Sequence, residues 1–235
     1  MRRLSSVSVL LFLTFSLFAQ DSTQVFDFSV RPGTSEWEKL STYEARLNAL
    51  QIPNSKIDEM STISLLESCL NYPIIWFLFS NQTVDIGFRK WRNEFLALNQ
   101  FYNRNNRANS ALKFYDNFKI DSYLNYERDL EQTRSIFNHV IIELIICQKE
   151  IFDMLNNEQC HSLLNRAVQN YYLEKADKRY SSMGIASTGR LIIKLLRKTN
   201  SSEPLLKDSS IQFIEKAGII TNVDILDSLV KNIVK

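Results

Sequence analysis

Chain breakers are scarce in this sequence: five glycines and four prolines in 235 residues, where average usage is about 7% and 5% of a chain. Strands joined by tight turns need those residues at nearly every reversal. Period-2 alternation is confined to VFDFSV (25–30), while the helical period runs through almost everything else. The pattern predicts an all-α fold of about nine helices with short connections. They would pack as an irregular bundle or a short helical-hairpin, α-solenoid-like array. STYEARL (41–47) and STISLLE (61–67) share only Ser-Thr and a later leucine, too little for a tandem repeat.

The first twenty residues, MRRLSSVSVLLFLTFSLFAQ, follow a different logic. Arg2 and Arg3 precede an apolar run of 7–18 that is shorter than the roughly 20 residues a membrane span needs, and Ala19 stands at a cleavage position. This reads as a signal peptide of 1–19, then an extended lead of 20–30, then a single all-helical domain over 31–235. No cysteine stands near the cleavage point, so a lipoprotein anchor is not expected. The expected location is secreted or periplasmic, without stable membrane insertion after cleavage. Loss of the two arginines takes the 28 basic side chains to 26, against 26 acids. A nucleic-acid partner would call for a basic excess, and there is none.

The domain opens with RPGTSEWEKL (31–40). Pro32 bars helix before it, Gly33 permits a turn, and Thr34 is an N-cap with Glu36 in the first turn, where the helix dipole favours an acid. Ser61 caps STISLLESCLNYP, with Leu65, Leu66, Cys69 and Leu70 on the buried face. IIWFLFS (74–80) is apolar all round and is expected in the core. Thr83 starts a long helix through Phe101. The longest run, 127–155, carries an apolar stripe wide enough for a central helix touched on two sides. Residues 158–179 form the next helix, and Gly184 and Gly189 should flank another through LIIKLLRK. Pro204 starts a helix with Ile211, Phe213 and Ile214 inside, Gly218 ends it, and DILDSLVKNIV closes the chain.

The segments RPGTSEWEKLSTYEARLNALQIP and MSTISLLESCLNYP also carry a resemblance. Pro32, Gly33, Thr34, Glu36 and Trp37, then Gln51, Ile52 and Pro53, then Thr62, Leu65, Cys69, Leu70, Tyr72 and Pro73 resemble a group of uncharacterised secreted bacterial all-helical proteins. Those proteins have a Pro-Gly-Thr-x-Glu-Trp start after the signal peptide. The likeness covers about residues 31–80. It implies a bacterial exported protein and transfers no catalytic residue.

Chemistry is harder to find. Cys69, Cys147 and Cys160 are too few for a disulfide scaffold, and Cys147 and Cys160 fall several ångströms out of register on successive helices, so all three read as small buried residues. His139 and Cys147 share a helix face and Cys160-His161 opens the next helix. That spacing matches no zinc pattern, and neither metal nor cofactor is expected. Ser110-x-x-Lys113 and Ser228-x-x-Lys231 lack the companion motifs of serine enzymes, and there is no phosphate loop or dinucleotide fingerprint. Arg190, Lys194, Arg197 and Lys198 fall at i, i+4, i+7 and i+8, with Lys175, Lys178 and Arg179 upstream. They read either as a solvated helix face or as a possible binding face for an acidic partner or anionic glycan. Tyr102, Tyr123, Tyr126, Tyr171 and Tyr172 suit either a groove or the core. The sequence therefore leads to an exported helical interaction module that binds a protein or glycan of the cell envelope without catalysis. The alternative is a helical hydrolase acting on polysaccharide, which requires two acids converging about 5–10 Å apart in a pocket.

Overall fold

The structure is a computed structural model that describes residues 24–118, 130–176 and 182–233, with the side chains of 130–133 and 182–183 left aside. The expected signal peptide, Tyr123, Tyr126, Lys178 and Arg179 lie outside the described residues. Within them the chain is all-helical and has no strand. Thirteen α-helices stand among the described residues, against an expected count of about nine, because the first half is cut into shorter pieces than its periodicity suggests.

The first four helices are α1 (Ser35–Glu38), α2 (Tyr43–Ala49), α3 (Asn54–Glu59) and α4 (Thr62–Leu70). A 3-10 turn over Ile75–Ser80 leads into α5 (Val84–Glu94), α6 (Leu96–Asn103) and α7 (Arg107–Asn117). Helices this short are marginal in isolation. Four of the starts, those of α1, α2, α4 and α5, are held by side-chain caps: Thr34, Thr42, Ser61 and Thr83 each accept a backbone N–H three residues on, worth about 1 kcal/mol apiece. The opening latch forms as the sequence predicts, with Gly33 at φ +91° and the Thr34 hydroxyl also bonded to the Arg31 carbonyl.

The second half contains α8 (Leu130–Ile146), α9 (Lys149–Phe152), α10 (Asn157–Ala176) and α11 (Ser182–Lys198). After a 3-10 turn over Pro204–Lys207 come α12 (Ser209–Ala217) and α13 (Val223–Ile233). The hub is α11, which packs on α8, α10 and α12, while α8 is also covered by α7. The main core is a continuous cluster running from Phe28 and Leu50 to Leu229 and Val230, with Phe118 at the centre of a small second one. It includes an aromatic knot in which Tyr72 lies 4.3 Å from Phe95 and Trp91 stacks on Phe95 at 6.3 Å. No helix among the described residues is long and apolar enough to cross a membrane.

Three local expectations are corrected. Gly184 and Gly189 do not flank a helix but sit inside α11. An added Cβ at Gly189 would stand 2.6 Å from the Leu226 side chain, so this glycine admits α13 rather than ending α11. Of IIWFLFS, Ile75 and Leu78 are buried but Trp76 is 57% exposed, because the 3-10 turn shows one side to solvent. Phe213 is 43% exposed while Ile211 and Ile214 fill the interface of α12.

Candidate functional site

The basic stripe of α11 runs from a buried Arg190 through half-buried Lys194 and Lys198 to an exposed Arg197, and all four contact neighbouring elements. Arg190 is only 8% exposed, and its guanidinium grips Asp85 of α5 in a two-pronged pair of 2.9 and 2.8 Å. The Lys194 ammonium donates to the Cys147 carbonyl just past the end of α8, at 2.7 Å. Lys198 donates to the Phe152 carbonyl at the end of α9, at 2.6 Å. Arg197 donates to the Leu206 carbonyl in the 3-10 turn before α12 and pairs with Glu215. Cations at helix C-termini satisfy orphan carbonyls and complement the dipole. These four charges, read from spacing as a possible binding face, are engaged in joining α11 to its neighbours.

A second set of polar groups converges in the core. The heptapeptide HVIIELI places His139 and Glu143 one turn apart on α8, and α10 presents Asn170 and Glu174 with the same spacing. Tyr115 comes from α7 and Thr188 from α11. His139, Glu143, Glu174 and Thr188 have no solvent exposure. His139 Nδ1 lies 2.9 Å from Glu174 Oε1, and its Nε2 lies 3.7 Å from Glu143 Oε1. The imidazole is stacked between Tyr115 and Phe118, at 5.5 and 5.0 Å. The Tyr115 hydroxyl donates to Glu143 Oε1 at 2.9 Å. Asn170 Nδ2 reaches both that hydroxyl, at 3.0 Å, and His139 Nε2, at 3.2 Å. Thr188 Oγ1 lies 2.8 and 3.0 Å from the two Glu143 oxygens and 3.0 Å from Glu174 Oε1.

Burial disfavours charge on all three titratable groups. It pushes the Glu143 carboxyl up to about 7, against the pull of His139 and with the added repulsion of Glu174. It pushes Glu174 up to about 8, with the Thr188 hydrogen bond opposing, and it lowers His139. Two acids therefore do converge, as the hydrolase alternative requires. They are fully buried and line neither of the two cavities formed around Asn71, Arg134 and Asn138.

Those two cavities lie on either side of Asn71, Arg134 and Asn138. The larger, about 580 Å³, is a groove walled by Phe26, Phe28 and Pro32, by Tyr72, Pro73 and Trp76, and by Phe137 of α8. The other, about 520 Å³, is lined by Ile63, Phe114, Phe118 and Ser135. Residues 24–30 run without helix and form one wall, tethered by the Phe26 N–H donating to Ser68 Oγ at 2.9 Å. Arg134 donates to Asn71 Oδ1 at 2.9 Å with its guanidinium open to solvent. Asn138 Oδ1, Tyr72 Oη and Ser135 Oγ are buried without a hydrogen-bond partner among the described residues. Such atoms are rare in folded proteins and call for a donor or acceptor from elsewhere.

The remaining sequence candidates separate. Cys69, Cys147 and Cys160 are buried free thiols, whereas His161 is exposed on the outer face of α10. The Ser228 hydroxyl is spent on the Asp224 carbonyl. Tyr102 and Tyr171 are core residues and Tyr172 is exposed. Glu143 was missed from the sequence, although a carboxylate between Ile141-Ile142 and Leu144-Ile145 is a visible signal. Glu174 carries no comparable local sign. Comparison with protein-family models, with characterised proteins and with solved structures finds no match to this chain.

Proposed function

We propose that this chain is an exported helical interaction module that binds an extended segment of a cell-envelope protein in the groove between residues 25–32, the Asn71–Trp76 bend and α8, without catalysis. The observation that carries the reading is the joint presence in and beside the groove of three buried, unpartnered polar atoms, on Tyr72, Ser135 and Asn138. They sit among apolar walls, beside the open guanidinium of Arg134. A polypeptide supplies what these groups lack: a backbone N–H for Asn138 Oδ1, an apolar side chain against Phe26, Phe137 and the exposed Trp76, and a carboxylate for Arg134. Burying those atoms unsatisfied costs about 1–3 kcal/mol each, which is recovered when the groove is filled by matching groups.

Peptide display against residues 20–235, followed by titration of the selected peptides, tests this reading. The selected sequences should join an aromatic or branched apolar residue to an acid and shift the Trp76 emission to the blue. Trp76→Ala or Arg134→Glu should weaken them at least about tenfold, the scale of one lost interface anchor. Peptides indifferent to both substitutions, or a display that enriches nothing while envelope polysaccharide binds the same groove, would overturn the protein-binding reading.

A further inference from the structure

We propose that His139, Glu143 and Glu174, with Thr188 beside them, form a buried binding site for one divalent transition-metal ion, zinc being the best match. The inference is independent of the groove. It starts from the charge and proton count of the core cluster. Two carboxylates and an imidazole offer ligand atoms that all lie within 4.8 Å of one another. Among the described residues no lysine or arginine is paired with either carboxylate. Thr188 has a single hydroxyl proton, yet three carboxylate oxygens stand within 3.0 Å of it. Glu174 Oε2 is buried with no hydrogen-bond partner among the described residues. With both carboxylates ionised, the described residues give the cluster more acceptors than donors and no positive charge, and a divalent cation would supply that charge for both carboxylates at once.

The donor set decides the kind of ion. Calcium takes six to eight oxygens and magnesium keeps its waters, and a closed core with an imidazole suits neither. One nitrogen and two carboxylates suit zinc or its first-row neighbours. With bonds of about 2.0–2.1 Å, ligand atoms in a tetrahedral zinc site stand about 3.3 Å apart. The separations of 2.8–3.0 Å around Thr188 and between His139 and Glu174 would open to that value by a few tenths of an ångström, and the wider ones, all within 4.8 Å, would close toward it. Rings packed on both faces fix the imidazole plane. With Nδ1 toward the ion, Nε2 carries the ring proton, and Asn170, 3.2 Å away, would accept it once its amide is turned to present Oδ1, an outer partner that sets the turn of the ring. The ion would brace α8 against α10 and α11 from within.

The test uses the full mature chain, stripped with a chelator and then given Zn²⁺ both when folded and during refolding, since the three ligand side chains have no solvent exposure. Metal analysis and competition against a chromophoric chelator should give one zinc per chain. X-ray absorption should show a nitrogen and oxygen shell with a single imidazole. Glu143→Gln and Glu174→Gln keep the side-chain shapes and should each cut affinity about a hundredfold or more, while the stripped variants keep the helical circular dichroism of the stripped parent. No uptake by either route overturns the proposal, as does uptake unchanged in both variants, which would put the ion at a surface group such as His161. Should the variants not fold, the absorption spectrum of the parent decides alone: a sulfur shell or more than one imidazole refutes the site.

Discussion

Asp85→Ala should destabilise this protein far more than a surface acid would. Arg190 comes from the hub helix α11 and Asp85 from the first turn of α5, 105 residues away, and the pair joins the two halves of the fold with two charge-assisted bonds. The Arg190 side chain is 10% exposed and that of Asp85 27%. Removing one partner of a fully buried pair costs about 3–5 kcal/mol, because the other charge stays behind unpaired. Water reaching the Asp85 side lowers that to about 2–3 kcal/mol, and loss of an acid at the start of α5 adds about 0.3–1 kcal/mol. In urea, with a slope of about 2–3 kcal/mol per molar for a chain of this size, the midpoint should fall by about 1 M at unchanged slope. Asp85→Ala/Arg190→Met should recover about half of the loss, since no charge is then stranded. Arg197→Ala, at an exposed pair, should cost about 1 kcal/mol or less. An Asp85→Ala midpoint within about 0.2 M of the parent, or a double variant no better than the single, would refute the account of α11 as a helix whose charges hold the core together.

Other outcomes follow from the same contacts. At Gly87 an added Cβ would stand 2.2 Å from the Leu78 carbonyl oxygen, so Gly87→Ala should cost about 3 kcal/mol or fail to fold. Gly33→Ala, in open space at φ +91°, should cost only about 1–2 kcal/mol of left-handed strain; equal losses at the two sites would contradict the close packing of α5 on the 3-10 turn. Burial works against charge on Asp227, but bonds from Lys175 and Tyr171 and the charges of Lys175 and Lys231 outweigh it and hold the carboxyl below its usual value. Because the folded value is depressed, this stabilisation is present above about pH 4 and lost as pH falls below it. Asp227→Asn should remove that acid-side loss, and an unchanged stability profile between pH 5 and 3 would count against the pairing. Burial also pushes the Cys147 thiol up to about 11 and raises Cys69 and Cys160. Native protein should therefore leave all three unreacted with Ellman's reagent, and denatured protein should release three equivalents; fast labelling of the native chain would contradict their burial.

Local physics was legible in the sequence. The shortage of breakers and the 3.6-residue period determined an all-helical fold. Thr34, Ser61 and Thr83 announced their helix starts, Gly218 its left-handed stop at φ 65°, and Leu65, Leu66, Cys69 and Leu70 their buried face. Where a residue answers to a neighbour distant in the chain, the period was silent or misleading. Gly189 reads as a breaker but is a seat for Leu226. The spacing of Arg190, Lys194, Arg197 and Lys198 describes a face of α11 equally well whether that face meets solvent, a partner or the carbonyl ends of α8 and α9. Asn170, Glu174 and Thr188 are ordinary helix residues until α10 and α11 bring them around His139 and Glu143 of α8. Periodicity tells which side of a helix turns inward. Which inward sides meet depends on crossing angles and close packing between segments far apart in the chain, and only the tertiary structure decides that.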